Sequence, residues 1–405
     1  MITRRKFLTA SRAAAAFAGG VSPARAALLA LPSALPEGTR TEAELDELPG
    51  KRPLIKLTYR PPNYETPLDY FRDPITPNDA FFVRYHLAGI PEIDASRWRL
   101  KLGGEGAVRE VELGLDDLKA MPLAEAVAVN QCSGNRRGLV EPHVPGVQWS
   151  HGAMGCARWR GVRLRDLLEE IGVKPEAVEI AFDGADEPVL DKTPDFVKSL
   201  PLAKAMEETT LVAFEMNGAP LPHLNGFPAR LVVPGWVATY WIKHLTSIRV
   251  LLKPEAGYWM KTAYRVPLGL FPTTAQFASQ EQAATAPITE IMVNALISSH
   301  ADGDTVAADA PVTISGVAWD GGHGLEGVEI SLDGGQTWRE AALGDDLGPF
   351  AFRLFSFAVG RPRERKLAVM ARATNRVGET QPRVFIANHA GYNNNVIQTI
   401  TLNVA

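Results

Sequence analysis

Hydrophobic and polar positions divide the chain into two parts. Between about residues 66 and 270, short apolar strand-like runs alternate with short helical stretches. From Pro311 onwards, several alternating segments follow one another with turns and no helices between them. This pattern predicts an α+β protein, in which a mixed α+β domain over 66–270 precedes an immunoglobulin-like β-sandwich over 285–405. The clearest predicted helix is 164–171, which has Leu164, Leu167, Leu168 and Ile171 on one face. The predicted strands of the sandwich are 312–319, 328–332, 350–357 and 367–373.

The amino-terminal segment does not follow either pattern. Residues 1–26 contain the pair Arg4-Arg5, a weakly apolar stretch and the small-residue end Ala24-Arg25-Ala26, which is typical of a twin-arginine signal peptide. An ordinary secretory signal is the alternative. Residues 27–65 are rich in proline and charge and predict an extended arm with no packed element.

Composition is that of an ordinary globular protein, with 46% hydrophobic and 22% charged residues. The net charge of −4 includes five positive charges and no acidic residue in 1–26, so the remaining chain carries −9. This acidity argues against nucleic acid as a partner. No run outside the signal approaches the ~20 apolar residues of a membrane span, so no membrane-spanning segment is expected.

Two cysteines, Cys132 and Cys156, set limits on the metal chemistry. No Cys-x-x-Cys motif exists, which excludes covalent c-type haem and a four-cysteine iron–sulfur cluster in this chain. A disulfide between the two is conceivable in an oxidising compartment, but a free reactive thiol explains Cys132 better.

The loop at 130–138 carries the strongest chemical signal. An apolar run at 126–129 precedes it, and Cys132 is followed four and five residues later by Arg136 and Arg137. Nearby cations favour a thiolate, which is a nucleophile or a soft metal ligand, and guanidinium groups bind oxyanions. The loop therefore predicts redox or transfer chemistry on an oxyanion; a buried, inert cysteine is the alternative.

A series of motifs extends this signal along the chain. The combined set resembles the sulfite oxidase family of molybdenum enzymes, which implies a molybdopterin-binding core followed by a dimerisation domain. The motifs, in family order, are 82–86 (FVRYH), 131–137 (QCSGNRR), 157–159 (ARW), 215–218 (EMNG), 226–230 (GFPAR), 233–235 (VPG) and 331–338 (SLDGGQTW).

The resemblance assigns roles in the active site. Cys132 would be the protein thiolate on molybdenum, and Cys156 would be structural. Arg84, Arg137 and His86 would bind the substrate anion, Trp149 would form a pocket wall, and Tyr264 would hydrogen-bond an oxo group or the substrate. Surface ion pairs for the arginines, and core packing for Trp149 and Tyr264, are the alternatives.

The resemblance also implies a set of residues around the molybdenum–molybdopterin cofactor. Asn225, Arg230 and Lys243 would hold the pterin phosphate, and Asp186 and Ser199 are weaker candidates for pterin hydrogen bonds. The remaining residues assigned to the cofactor are Phe82, Val83, Arg84, Tyr85, His86, Cys132, Trp241 and Ile242.

Oxidation of sulfite to sulfate, with electrons passed to a c-type cytochrome in the periplasm, is the function that the resemblance implies. A homodimer and a heterodimer with a cytochrome subunit are both open. The alternatives are the sulfane dehydrogenase component of a thiosulfate-oxidising complex, a methionine sulfoxide reductase, which the two pocket arginines disfavour, and a non-catalytic periplasmic binding module. Ala263 stands where the family often has aspartate, and residues 392–398 lack the arginine that some relatives project into the pocket.

Overall fold

The computed structural model of the protein describes residues 28–30, 42–271 and 284–405. The predicted signal peptide, 1–26, lies outside the described residues. Within them, no helix has both the length and the apolar character needed to cross a membrane.

The amino-terminal segment forms a sheet, so the prediction of an arm without a packed element is wrong for its described part. Leu54 and Tyr64 are fully buried and pack with Val83, Tyr85 and Leu224 in a small separate core. The prediction failed because strands this short, interrupted by prolines, show too little alternation to be recognised. The five antiparallel strands are Leu28–Ala30, Glu42–Asp46, Leu54–Thr58, Asn63–Glu65 and Val83–Arg84.

Two further sheets build the first domain. One is a mixed five-stranded sheet with a single parallel pairing, between Leu100–Gly103 and Leu245–Leu251. Its strands, in order, are Lys198–Pro201, Glu179–Gly184, Leu245–Leu251, Leu100–Gly103 and Val111–Leu113.

The other, which we call the cysteine sheet, contains the strand that leads to Cys132. Its strands, in order, are Ala219–Pro220, Leu211–Met216, Met154–Arg163 and Leu123–Gln131, with Arg230–Val232 pairing to Leu211–Met216. Leu123–Gln131 and Met154–Arg163 pair antiparallel over nine residues, so the chain reaches Cys132 from a long, well-fixed ladder.

The described residues contain fewer and shorter helices than the prediction of a mixed α+β domain implies. The predicted helix at 164–171 is confirmed as Leu164–Ile171, and its four apolar residues are buried. The helix Leu202–Ala205 is only four residues long, because Pro201 precedes it and Glu207-Glu208-Thr209-Thr210 lead into a strand. The other α-helices described are Leu115–Ala120 and Tyr258–Lys261, and the 3-10 helices are Leu68–Phe71, Arg137–Leu139, His223–Asn225 and Ala238–Tyr240.

The second domain is a sandwich of two sheets that enclose one apolar core, which includes Ile314, Val328, Val369 and Leu402. Two facing sheets agree with the predicted sandwich; its immunoglobulin type stays a prediction. The strands of the first sheet, in order, are Asn294–Ile297, Val312–Trp319, Arg353–Gly360 and Ala342–Leu343. The strands of the second sheet, in order, are Thr305–Val306, Gln398–Val404, Lys366–Asn375, Leu325–Ser331 and Arg339–Glu340. A two-stranded sheet, Arg265–Pro267 with Thr285–Pro287, precedes them.

The two domains share packing next to Cys132. Trp319 of the second domain donates its indole N–H to Gln131 Oε1 at 2.7 Å, and Val129 N–H donates to Phe350 O at 2.8 Å. Trp319 and Phe352 belong to the same buried cluster as the first-domain core. The cysteine sheet is therefore covered by the second domain at the end where the site lies.

Candidate active site

Cys132 lies directly after the last residue of a strand and faces a cavity. Its backbone N–H donates to Ala153 O at 2.9 Å, and Ser133 O accepts from Asn393 N–H of the second domain at 3.2 Å. These bonds hold the loop from both sides. Cys132 is 7% exposed, and both it and Cys156 are free thiols.

About 650 Å³ of space not filled by protein atoms, which includes open solvent, lies next to Cys132. A cleft lined by converging polar groups is typical of a small-molecule binding site. The cavity brings together eleven of the predicted site residues from distant parts of the sequence. They are Phe82, Arg84, His86, Cys132, Asp186, Asn225, Arg230, Trp241, Ile242, Lys243 and Tyr264.

Positive charge dominates the cavity wall. Arg84, Arg230 and Lys243 line it, and Asp186 is the one carboxylate among the described lining residues. Arg84 ends a strand and is half-buried; its guanidinium donates to Asn63 Oδ1 at 3.2 Å and to Tyr85 O. An anion in the cavity would meet more cations than anions, which favours its binding.

Arg230, which lines the cavity, is only 3% exposed. Its Nη1 and Nη2 donate to Asn225 O at 2.8 Å and Trp241 O at 3.1 Å, while Nε has no partner among the described residues. Burial lowers the pKa of Arg230 to about 9 and that of Lys243 to about 7. Such desolvated cations next to a cavity are compensated most readily by a bound anion.

His86 and Tyr264 also line the cavity, and the Tyr264 hydroxyl forms a hydrogen bond with Nε2 of the His86 ring. Phe196 stacks on His86 with ring centres 3.7 Å apart, and Tyr392 of the second domain stacks on Tyr264 at 5.5 Å. Tyr264 has a backbone φ of +58°, a strained conformation for a bulky residue that is typical of functional sites.

Burial, followed by the charges of Arg84, Lys243 and Lys198, holds the pKa of His86 well below its usual range. Burial also raises the pKa of Tyr264. The pair is therefore neutral near pH 7, so His86 would meet an anion as a neutral ring. A neutral imidazole can still exchange a proton with the phenol.

The donor set fits a molybdopterin-type cofactor. The buried polar atoms of lining residues without a partner in the described part of the chain include Asn130 Nδ2, Ser133 Oγ and Arg230 Nε. Buried groups of this kind require a hydrogen-bond partner, which a polar cofactor would supply. No group of three His, Cys, Asp or Glu side chains that could hold a metal ion is present among the described residues.

Three predicted site residues are directed elsewhere. The Arg137 guanidinium donates to Ala390 O at 2.6 Å and Val147 O at 3.1 Å, and so joins the cysteine loop to the second domain. Trp149 is fully buried and does not line the cavity, which matches the core-packing alternative. Ser199 donates to Glu179 Oε2 at 2.7 Å in the domain interior.

Val83 and Tyr85 also face away from the cavity, because successive side chains of an extended chain point to opposite sides. Both are fully buried beneath the amino-terminal sheet. The Tyr85 hydroxyl bonds to His244 Nε2 at 2.7 Å, and Lys243 Nζ lies 3.9 Å from the centre of the Tyr85 ring. These two residues support the site from behind.

Sequence reasoning missed several lining residues. Asn130 and Ser133 flank Cys132 and could have been found from that position alone. The others come from loops whose approach depends on the fold, and no local signal marks them. They are Phe196, Leu224, Ala238 and Thr239.

Comparison with known proteins agrees with this geometry. The oxidoreductase molybdopterin binding domain family matches residues 86–259, and the Mo-co oxidoreductase dimerisation domain family matches 285–405. Human mitochondrial sulfite oxidase is 35% identical over 350 residues, which cover 82% of this chain and 62% of the relative. Sulfite oxidase of Arabidopsis thaliana is 31% identical over 77% of this chain and 81% of its own length. The chain belongs to the sulfite oxidase family.

Among solved structures, the sulfane dehydrogenase SoxCD from Paracoccus pantotrophus superposes with a TM-score of 0.72. It is 27% identical, and the match covers 88% of this chain and 90% of that one. The chain spans 62% of the length of the mammalian sulfite oxidases. Family membership therefore identifies a molybdopterin oxidoreductase with a dimerisation domain.

Proposed function

We propose that this member of the sulfite oxidase family oxidises sulfite to sulfate and passes the electrons to a c-type cytochrome. The observation that carries the proposal is the meeting of the Cys132 thiol, the Arg84 guanidinium and the His86–Tyr264 pair in one cationic cavity. A small oxyanion entering this cavity would be held by charge at one point and by directed hydrogen bonds at another.

When bound, the molybdenum cofactor would supply the oxygen-atom and two-electron chemistry, with Cys132 as the protein ligand. Arg84 would bind and orient the sulfite oxygens. The His86–Tyr264 pair would hold or accept a proton at the Tyr264 hydroxyl, and His86 starts neutral because its pKa is low. Phe196 and Trp259, which pack on His86, would limit the entry of water.

The cofactor would bind where Arg230 and Lys243 provide the charge for an anionic pterin substituent, and where Asn130 and Ser133 offer unpartnered polar atoms near Cys132. We propose that the substrate binds near Arg84 and Tyr264, and the pterin near Trp241 and Lys243.

Sulfane oxidation is the second candidate, and the superposition with SoxCD favours it. Its substrate would be a sulfur atom attached to a carrier cysteine. The Cys132 thiol and the cations of the cavity would have the same roles as in sulfite oxidation. The two candidates differ in the size of the substrate, which a direct comparison of turnover distinguishes.

Export and partners complete the proposal. Residues 1–26 suit a twin-arginine signal, so we place the folded, cofactor-loaded protein in the periplasm. The dimerisation domain supports a dimer, and a homodimer is the form we propose, with the cytochrome as a separate acceptor or subunit.

The test is sulfite-dependent reduction of cytochrome c by the purified mature protein, with molybdenum quantified in the same sample. Turnover of free sulfite with about one molybdenum per chain supports the proposal. Full molybdenum with turnover only on a carrier-bound thiosulfonate supports sulfane oxidation instead. Absence of molybdenum would favour a non-catalytic binding protein.

A further inference from the structure

Lys51 has an unusual position for a lysine. It lies in the amino-terminal segment, ahead of the residues that match the molybdopterin-binding family, yet it is only 6% exposed. Burial lowers its pKa to about 7. A buried ammonium group is costly, so its partners show what it does in the fold.

One of the three bonds of the Lys51 ammonium goes to a residue that lines the cavity, and the other two go to the chain just before a lining residue. It donates to Asn78 O at 2.6 Å, to Phe81 O at 3.1 Å and to Asn225 Oδ1. The first two acceptors lie in the chain that enters Phe82 and Arg84. The third lies in the 3-10 turn His223–Asn225, which is 174 residues away in sequence.

These bonds also determine how Asn225 is oriented. An ammonium group can only donate, so the amide oxygen of Asn225 must face Lys51. The amide nitrogen then donates to Phe82 O at 3.1 Å, and the backbone carbonyl of Asn225 accepts from Arg230. Lys51 therefore connects Phe82, Asn225 and Arg230, all of which line the cavity.

We propose that Lys51 is a positioning residue for the cofactor: it joins the 78–82 chain to the Asn225–Arg230 loop and so closes the cavity around the pterin. Asn225 acts mainly through this connection, since its side-chain oxygen is already bonded. The proposal rests on the molybdopterin assignment of the family and not on the identity of the substrate, so it stands whether sulfite or sulfane is oxidised.

The test compares Lys51→Met with Lys56→Met in the holoenzyme. Lys56 is a matched control, because it lies five residues away, is half exposed and pairs with Asp46 at the surface. Bound molybdenum and released pterin are quantified before and during dialysis. We expect Lys51→Met to release cofactor on the order of tenfold faster, as changes behind a ligand shell commonly do, and Lys56→Met to match the wild type.

Two measurements distinguish a role in holding the cofactor from a general structural role: the melting temperature with and without cofactor, and the additivity of the effects of two substitutions. If Lys51 acts on the cofactor, the difference in Tm between loaded and cofactor-free protein shrinks in Lys51→Met. The losses in Lys51→Met and Asn225→Ala should also be far from additive in the double variant. Cofactor release at the wild-type rate, or an equal fall in Tm with and without cofactor, would overturn the proposal.

If Lys51→Met does not accumulate, Lys51→Arg and Lys56→Arg replace the pair. Arginine retains the charge but presents a planar fork, which cannot reproduce three converging bonds from one nitrogen. Faster release from Lys51→Arg than from Lys56→Arg supports the proposal, and equal release contradicts it.

Discussion

At the scale of single residues, the site separates two kinds of positive charge. Arg230 is deeply buried and donates to two backbone carbonyls, whereas Arg84 and Lys243 are half-buried in the wall of the cavity. Buried cations suit a resident group that remains bound, and a partly exposed guanidinium suits a substrate that must leave. The pKa of His86 is low first because the ring is buried and then because Arg84, Lys243 and Lys198 carry positive charge nearby, so the charge that attracts the anion also helps to keep His86 unprotonated.

Arg84→Gln is therefore expected to weaken sulfite binding more than cofactor binding. Loss of a charged hydrogen bond is worth about 1.5–3 kcal/mol, which corresponds to a rise in KM of roughly 10- to 100-fold. Steady-state kinetics with molybdenum quantification measures this. Arg99→Gln, at an exposed arginine of the same domain, is the control. An unchanged KM at full molybdenum content would remove Arg84 from the substrate pocket.

At the scale of elements, one carboxylate joins the amino-terminal sheet to Ser150, three residues before Ala153, the backbone partner of Cys132. Glu65 ends the strand Asn63–Glu65 and is 1% exposed. It accepts hydrogen bonds from the backbone N–H of Ser150, at 2.9 Å, and from the Ser150 hydroxyl. Burial raises the pKa of Glu65 to about 7, from an ordinary value of 4.5.

This shift predicts a dependence of stability on pH. Between pH 4.5 and about 7 the native protein holds the Glu65 proton more firmly than the unfolded chain, so the contribution of Glu65 to stability falls as pH rises. Glutamine does not ionise. Glu65→Gln should gain stability relative to the wild type between pH 5 and pH 8, by up to about 3 kcal/mol.

Urea unfolding of both proteins at the two pH values measures this gain, and Glu125→Gln provides the baseline for removal of an exposed carboxylate. A difference between Glu65→Gln and the wild type that does not grow with pH would contradict the assigned ionisation.

How far the sequence predicts these elements depends on their length and pattern. The helix Leu164–Ile171 and the strand Val312–Trp319 are confirmed at their predicted bounds, because each has a full amphipathic period and clear ends. The strands at 42–65 were missed because each has five residues or fewer, and a few alternating positions cannot be distinguished from coil.

The site was predictable where chemistry and position coincide, as at Cys132 and Arg230. The site was not predictable where membership depends on the direction in which a side chain points. Trp149 and Ser199 occupy expected positions in the sequence, but their side chains pack into the interior. The stacking of Tyr392 on Tyr264 joins residues of two domains, and no pattern in either segment indicates that contact.

At the scale of the whole molecule, the second domain is part of the active-site structure. Arg136 and Arg137 of the cysteine loop donate to Val396 O and Ala390 O, and Asn393 bonds back to Ser133. One buried cluster extends across both domains. Because the two domains share buried residues, the unfolding of one should expose the core of the other, and both should melt in one cooperative transition.

Trp319→Phe tests this coupling at the contact nearest to Cys132. The substitution keeps an aromatic ring against Phe352 but removes the indole N–H that bonds to Gln131. An unpartnered buried acceptor costs about 1–3 kcal/mol, and the loss should lower the single transition measured by calorimetry. Trp338→Phe is the matched control, since the Trp338 indole bonds to Gly335 within its own domain. If Trp319→Phe instead splits the transition into two, with the first domain melting at its original temperature, the domains are joined more loosely than their shared core implies.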